Sequence, residues 1–364
     1  MKKIFLFGLI ITVFTSCTYF SQEEILNPKE EKSGYEKPIA NLILDYPEVE
    51  GRMQVYAQLN EERLANASPI TECSDVTKVP SEYPTIQEAV DHVTAGGTVI
   101  VSAGSYFEEV YINKPGIKLK ALDEVELYGG FILNEDADET SVHNFKIILR
   151  YDFNGILSYK ADKLHICENE IDVYPFIRIN AIVLGMTNES YIHKNKIYGA
   201  NNGISLFSYN GVVSHKNTLE ENSVSEFTNV GILLGGNMDE NLLLNNSVVD
   251  AASYRLLPYG NIVLVKNETS TSDDTCDNNL IKGNVASRGT NGLIIDDDNA
   301  GNEIIGNEFS ENIQYGIYAS TLKQGSEPNI FKENKALGNT GCDIVDESSK
   351  NVYNNNTFGC TTEK

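Results

Sequence analysis

The chain has 364 residues, 41 % of them hydrophobic, no tryptophan, and a formal net charge of −24. That charge leaves no basic footprint for nucleic acid, and it repels anionic polymers at long range unless cations bridge them. The length suits two or three compact domains, or one repeat array whose core grows with each added unit.

Lys2 and Lys3 precede a short apolar run from Ile4 to Phe14, and Thr15-Ser16-Cys17 closes it. The run is too short to span a bilayer. The pattern resembles a bacterial lipoprotein signal, which implies loss of residues 1–16 and a lipid on Cys17. It also implies an extracytoplasmic place at the outer membrane or cell surface. Residues 17–35 are polar and read as a flexible tether. Residues 36–82 are an N-terminal extension. In it Met53, Val55, Tyr56, Leu59 and Leu64 suggest one amphipathic helix that packs on the remainder, and residues 71–82 look like a connector.

A second helix is expected after Thr85, whose hydroxyl and the Glu88 carboxylate fit a capping box. Ile86, Ala89, Val90 and Val93 fall on one face of it, and Gly96-Gly97 is the expected stop. Strands follow at Val99–Val101, 110–112, 117–119 and 125–127. An open solenoid end needs a cover, and this helix is the candidate. Pro84-Thr85-Ile86-Gln87-Glu88-Ala89-Val90, then Gly97-Thr98-Val99-Ile100-Val101, then Gly104-Ser105-Tyr106 resembles the opening of pectin-lyase-like right-handed parallel β-helix proteins. The repeats that follow are also similar to those of the nitrous-oxide-reductase maturation accessory proteins. The resemblance implies the fold, over residues 83–360, and a polysaccharide ligand. It does not imply one activity, because many chemistries share the scaffold.

From Gly155 to Phe358 one pattern recurs eight times, marked by Asn169, Asn195, Asn222, Asn246, Asn284, Asn307, Asn334 and Asn356. A period mostly in the twenties indicates a solenoid. Stacking the copies aligns four apolar columns. They begin at Ile156, Ser158, Ile166 and Ile171, and alternation along a strand points all four inward. Asp346 ends the second column, which fits a last coil opening to water. The asparagines are expected at tight bends with left-handed backbone, bonding to one another along the stack at the ~4.8 Å strand spacing. A second ladder runs through Asn217, Asn241, Asn279, Asn302, Asn329 and Asn351. Residues 361–364 are a tail. The fold class is all-β, a right-handed parallel β-helix with an N-terminal α-helical cap.

One outward column is apolar where water would favour polar residues: Leu157, Val183, Ser205, Leu233, Val263, Ile294, Tyr318 and Val345. Such a stripe needs a cover or a ligand. The cover is residues 36–70, a coil loop, or a protein partner or second copy. The ligand alternative is a glycan stacking on Tyr159, Phe207 and Tyr318. Two long insertions mark where function is built on a repeat scaffold. One carries Tyr254, Arg255 and Tyr259; the other carries Asp273, Asp274 and Asp277, with Asp296, Asp297 and Asp298 one coil above its base. Oxygen ligands in that number suit Ca²⁺. If the protein is a polysaccharide lyase, Arg255 or Arg288 is the base and Ca²⁺ neutralises the uronate. If it is a glycoside hydrolase, Asp296 and Asp298 are the carboxylate pair on one strand face.

The five histidines, His92, His143, His165, His193 and His215, form no sequence cluster. His165 and His193 fall on adjacent coils, which reads as a surface coincidence. After Cys17 five cysteines remain, an odd number for an exported chain. Cys342 and Cys360 flank the last coil and are the expected disulfide; Cys73, Cys167 and Cys276 have no assigned pairing. Two functions stay open: an exported module that binds or processes a polysaccharide, or a non-catalytic adhesion, spacer or accessory module with a protein partner.

Overall fold

Apolar residues at alternate positions make strands of a few residues, and what those strands bury depends on how they stack. In the computed structural model, which describes residues 46–66, 73–150, 154–174, 179–252, 259–266 and 274–363, they stack in parallel. Three parallel sheets, of 12, 11 and 8 strands, form the walls of a right-handed β-solenoid. Each coil crosses the three walls in turn. Ile156, Ile182, Ile204, Ile232, Ile262, Leu293, Ile317 and Ile344 stand over one another on the 11-stranded wall. Ile166, Ile192, Leu219, Leu243, Ile281, Ile304, Phe331 and Tyr353 do so on the 12-stranded wall. Together with the Ile171 column they fill one continuous core. Each fully buried Ile or Leu contributes about 1.5–3 kcal/mol.

The asparagine ladders hold the corners. Asn195 Nδ2 donates to Asn222 Oδ1 at 3.0 Å, Asn222 to Asn246 at 3.0 Å, and Asn246 to Asn284 at 2.9 Å. Each Oδ1 also accepts the backbone N–H of the preceding ladder residue, as Asn246 does from Asn222 at 3.0 Å. The second ladder repeats this through Asn217, Asn241, Asn279, Asn302 and Asn329. The left-handed residue is not the asparagine. It is the residue before it, as at Glu168 (φ 57°), Lys194 (φ 55°), Glu221 (φ 54°) and Gly283 (φ 68°). The bend takes its unusual φ one position earlier, and each asparagine turns its amide into the stack. Asp346 also departs from expectation. It is 2 % exposed, and it accepts from the amide and hydroxyl of Ser348, from Asn351 Nδ2 and from the Tyr353 hydroxyl.

The N-terminal end is closed by helix α2 (Ile86–His92), whose Ile86, Ala89 and Val90 enter the core. Thr85 Oγ1 accepts from the Glu88 amide at 3.1 Å. The Glu108 carboxylate takes the Ile86 and Gln87 amides, each at 2.9 Å. The helix stops before the glycines: Val93 is already extended (φ −80°, ψ 143°), and strand Val93–Val101 runs through Gly96 and Gly97. Burial of β-branched Val93 in the core ends the helix there. Strand Ser74–Val79, inside the expected connector, pairs with Val93–Val101 and so belongs to the first coil.

The apolar stripe has a cover. Helix α1 (Tyr46–Asn66) sets Val49, Met53, Tyr56 and Ala57, a 3.6-residue spacing, against Tyr111, Ile132, Leu157, Tyr159, Val183, Phe207 and Tyr209. Val55, Leu59 and Leu64, expected on the packing face, are exposed. The helix is pinned by the Tyr56 hydroxyl on Glu109 (2.9 Å), by Glu50 accepting from Tyr209 (3.1 Å), and by Arg63 forked onto Asp91 of α2. Further along the stripe Leu233, Val263, Ile294 and Val345 are buried too.

Replacing Asn246 by Ala orphans the Asn222 amide and the Leu219 carbonyl that it now bonds. Urea unfolding is expected to show a loss of about 2–5 kcal/mol, since each buried orphan costs about 1–3 kcal/mol. A loss under about 0.5 kcal/mol would mean that the ladder is not what holds the corners. Met53→Asp should loosen α1, and limited proteolysis should then cut within residues 46–66 while the solenoid stays intact.

Candidate functional site

The insertion edges offer less open chemistry than their composition suggests. Tyr254, Arg255 and Asp273 lie outside the described residues. Tyr259 is half-buried at the end of its insertion. Arg288 forks onto Asp250 at 2.6 and 2.9 Å, and that pairing raises its already high pKa, which is the wrong direction for a base. Asp274 accepts from the Gly211 amide, and Asp277 accepts from Thr275 and from the Ala300 amide. Asp297 accepts from Ser320 and Thr321. Asp298 faces both Lys266 (3.3 Å) and Lys323 (3.6 Å). Asp296 and Asp298 do not share a strand face: the strand ends at Ile295, and Asp298 has φ 69° in the following turn. Tyr159, Phe207 and Tyr318 are buried, at 7, 4 and 1 % exposure: the first two pack under α1, and Tyr318 stacks on Tyr315.

A different group assembles on the outside of the 12-stranded wall. Strand His165–Cys167 sends Ile166 inward, so His165 and Cys167 both point out. The next coil's strand, Tyr191–His193, lies in register with Tyr191 over His165 and His193 over Cys167. His165 Nε2 and His193 Nε2 meet at 2.9 Å, with rings 20° from parallel. With the Cys167 sulfur, these ligand atoms lie within 4.8 Å of one another, and among the described residues this is the group of three His, Cys, Asp or Glu side chains arranged to hold a metal ion. The coincidence expected from the sequence is therefore a contact.

Neighbouring residues fix the group. Tyr191 stacks on His193 (centroids 4.3 Å) and on His165 (5.5 Å), and its hydroxyl is held by Glu220. His143, below Cys167 in the same column, meets Glu168 at 2.9 Å and draws that carboxylate aside. Burial lowers the pKa of both His165 and His193, with His143 a further cause at the first and His165 at the second. Burial, then the charge of Glu168, pushes the Cys167 thiol up to about 11. The sequence carried a signal for this group: His-Ile-Cys and Tyr-Ile-His occupy equivalent positions in successive repeats, flanking the inward isoleucine.

Elsewhere, Cys342 and Cys360 are disulfide-bonded, while Cys73 is free and exposed and Cys276 is free and buried. The lipoprotein-like signal, Cys17 and the tether lie outside the described residues. No described helix is long and apolar enough to cross a membrane.

A family model described as periplasmic copper-binding protein (NosD) matches residues 166–362. That is more than half of the chain, and the chain belongs to this family. No curated protein matches it. Among solved structures, a polygalacturonase from Erwinia carotovora ssp. carotovora is similar at 12 % identity and TM-score 0.57, over 82 % of this chain and 96 % of that one. ORF18 of Geobacillus virus E2 is similar at 13 % identity and TM-score 0.56, over 85 % and 64 %. The A-module of the Azotobacter vinelandii mannuronan C-5 epimerase AlgE4 is similar at 11 % and 0.53, over 77 % and 92 %. At such identities the likeness is one of fold.

The thiolate is the nucleophile, so a pKa near 11 leaves Cys167 mostly unreactive at neutral pH. Iodoacetamide mapping should label exposed Cys73 first, with Cys167 labelling rising steeply only toward pH 11. Equal labelling of the two at pH 7 would contradict the burial of the thiol.

Proposed function

We propose that this member of the NosD family is an extracytoplasmic accessory module that binds its ligand without transforming it, with the imidazole–thiol group as the binding locus. One observation carries the reading: three ligand-type side chains from adjacent coils converge within 4.8 Å on a rigid wall. The residues expected to do acid–base chemistry support it from the other side. Arg288 and Asp298 each pair with an oppositely charged side chain of the chain itself. A transforming enzyme needs such groups poised against a substrate. The signal-like segment favours tethering by a lipid on Cys17, facing the compartment named for the family, the periplasm, or the cell surface.

A second reading, glycan binding without turnover, draws on exposed aromatic rings of the 8-stranded side. Phe107 is 76 % exposed and stacks on Tyr128 at 4.6 Å, and Tyr174 and Tyr198 are exposed nearby on later coils. Calcium at the Asp274, Asp277 and Asp296–Asp298 edge would, in this reading, bridge the acidic protein to an anionic chain.

Both readings share a test. Purified protein is incubated with uronate and neutral glycans, with and without Ca²⁺, while unsaturated products and reducing ends are followed. No product is expected on any glycan. Turnover on one of them would overturn the non-catalytic reading, whereas retention on a glycan array without turnover would favour the second.

A further inference from the structure

We infer that Cys167 Sγ and the Nε2 atoms of His165 and His193 hold a zinc(II) ion whose fourth position is open to solvent. The inference rests on the reading of this group as the module's binding locus, and it names the ion there and the way a ligand reaches it. The donor set comes first. One thiol and two imidazoles are soft to borderline ligands, unsuited to Ca²⁺ or Mg²⁺, which take oxygen. Zinc takes sulfur and nitrogen in a tetrahedron, and three protein ligands leave one corner for water or a ligand. The wall supplies that corner. His165 is exposed and His193 half-buried on its outer face, and no other described His, Cys, Asp or Glu joins the group. His143, one strand below Cys167, is turned to Glu168 at 2.9 Å.

Donor softness alone also admits a monovalent soft ion; charge separates the two. Zinc(II) and the thiolate sum to one positive charge, and a carboxylate stands one strand further on. Glu220 lies in register with His193 and holds the hydroxyl of Tyr191, whose ring lies against both imidazoles. Lys194, which follows His193, is drawn aside by Glu221 at 3.8 Å. The positive site and Glu220 therefore offset each other, whereas a monovalent ion would cancel the thiolate and leave that carboxylate unopposed. Binding breaks the S–H bond and forms a Zn–S bond, and that proton leaves to solvent. The imidazoles contribute lone pairs, and no electron is transferred.

The scaffold is preorganised. Ile166 and Ile192 are fully buried and lock the two strands in register. Donors on a tetrahedral zinc stand about 3.3–3.6 Å apart, from bond lengths of about 2.0–2.3 Å. The two Nε2 atoms share a hydrogen bond at 2.9 Å, one ring donating and the other accepting. Zinc parts them by roughly half an ångström, and the donating ring carries its proton on Nδ1 instead. Tyr191 is a positioning residue, since its stacked ring sets the planes of both imidazoles and its hydroxyl is fixed by Glu220.

The test is a zinc titration of the metal-free full chain against pyridylazoresorcinol, repeated with cobalt(II) as a spectroscopic probe. One ion per chain is expected, with the absorption of tetrahedral cobalt and a sulfur-to-cobalt charge-transfer band. Added imidazole should shift the cobalt spectrum by taking the open corner. Cys167→Ser should abolish the band and lower zinc affinity by at least about 100-fold, and His165→Gln and His193→Gln should each lower it by about 10–100-fold. Tyr191→Leu should cost about tenfold with the band retained, and Tyr191→Phe, which keeps the ring, should recover most of that loss. Cys73→Ser and Cys276→Ser should leave affinity unchanged. His165 is exposed, so its variant separates ligand loss from unfolding, and circular dichroism of each variant checks the fold. Zinc binding that survives Cys167→Ser, a chain that cannot compete with the dye, or a chain that holds copper(I) but not zinc overturns the site. A cobalt spectrum indifferent to imidazole overturns the open corner. If zinc fails to bind while the glycans remain intact, the site falls and the non-catalytic reading stands. If zinc binds and a glycan is also cleaved, the site stands and that reading falls.

Discussion

The structure depends on one constraint: each coil must turn three corners, and a corner that faces its neighbours rather than water has backbone groups to satisfy. Buried unpaired amides and carbonyls cost more than a solenoid of short strands can spare. The asparagine ladder answers with one side chain per coil. Asn222, for example, gives its Nδ2 hydrogens to Asn246 Oδ1 and the Ile192 carbonyl, and its Oδ1 receives the Asn195 amide. No hydroxyl supplies that combination of two donors and an acceptor. Ser190, which precedes Asn217 in the second ladder, accepts the Leu164 amide at its hydroxyl and gives its one hydroxyl hydrogen to the Asn188 carbonyl, one donor fewer than an asparagine. The ladder also fixes register, because a coil slipped by one residue would turn every inward isoleucine to water.

Fixed register has a consequence for the outer surface. Once inward columns are locked, outward columns are locked as well, and any residue type placed in two successive coils meets its copy at the strand spacing. On the 11-stranded wall this produced a continuous apolar stripe, too long to leave bare. Met53 and its neighbours on α1 turn part of it into a second, smaller core, and the Tyr159–Tyr209 hydroxyl pair at 2.7 Å and Glu50 close its polar edge. Aromatic residues that could stack on a sugar in an open groove instead stack on protein. Composition cannot distinguish these outcomes; the cover decides.

The inward half of the fold was legible in the sequence because core positions tolerate few residue types. Isoleucine after a glycine-like start, and asparagine at the bend, recur often enough to stack by eye, and the observed register matches that stacking column for column. Features that depend on one coil's particulars were not legible. The left-handed position holds Glu168, Lys194, Asn245 and Gly283 in different coils, so no residue type marks it. Asp346 looked like the start of an opening because a carboxylate ends an apolar column; only the fold brings Ser348, Asn351 and Tyr353 to it. The helix stop at Val93 was decided by burial, which outweighed two glycines three residues later.

The imidazole–thiol group lies between these cases. Its parts were visible, and its assembly followed from a rule already in use. Two residues apart on one strand share a face, and the same wall on the next coil lies one strand spacing away. His165, Cys167 and His193 are therefore the corners of a triangle whose sides are set by the pleat and the rise, not by side-chain chance. A lone histidine on an outer wall has solvent as its partner. Here three such corners carry nitrogen, sulfur and nitrogen, on strands that the core holds in register, and the three atoms lie within 4.8 Å of one another. The same geometry recurs along the wall, and elsewhere the corners hold a mixture of types, among them His143, Thr218, Glu220, Leu242, Lys282 and Glu303. What distinguishes this pair of coils is chemistry alone, since the spacing is common to all.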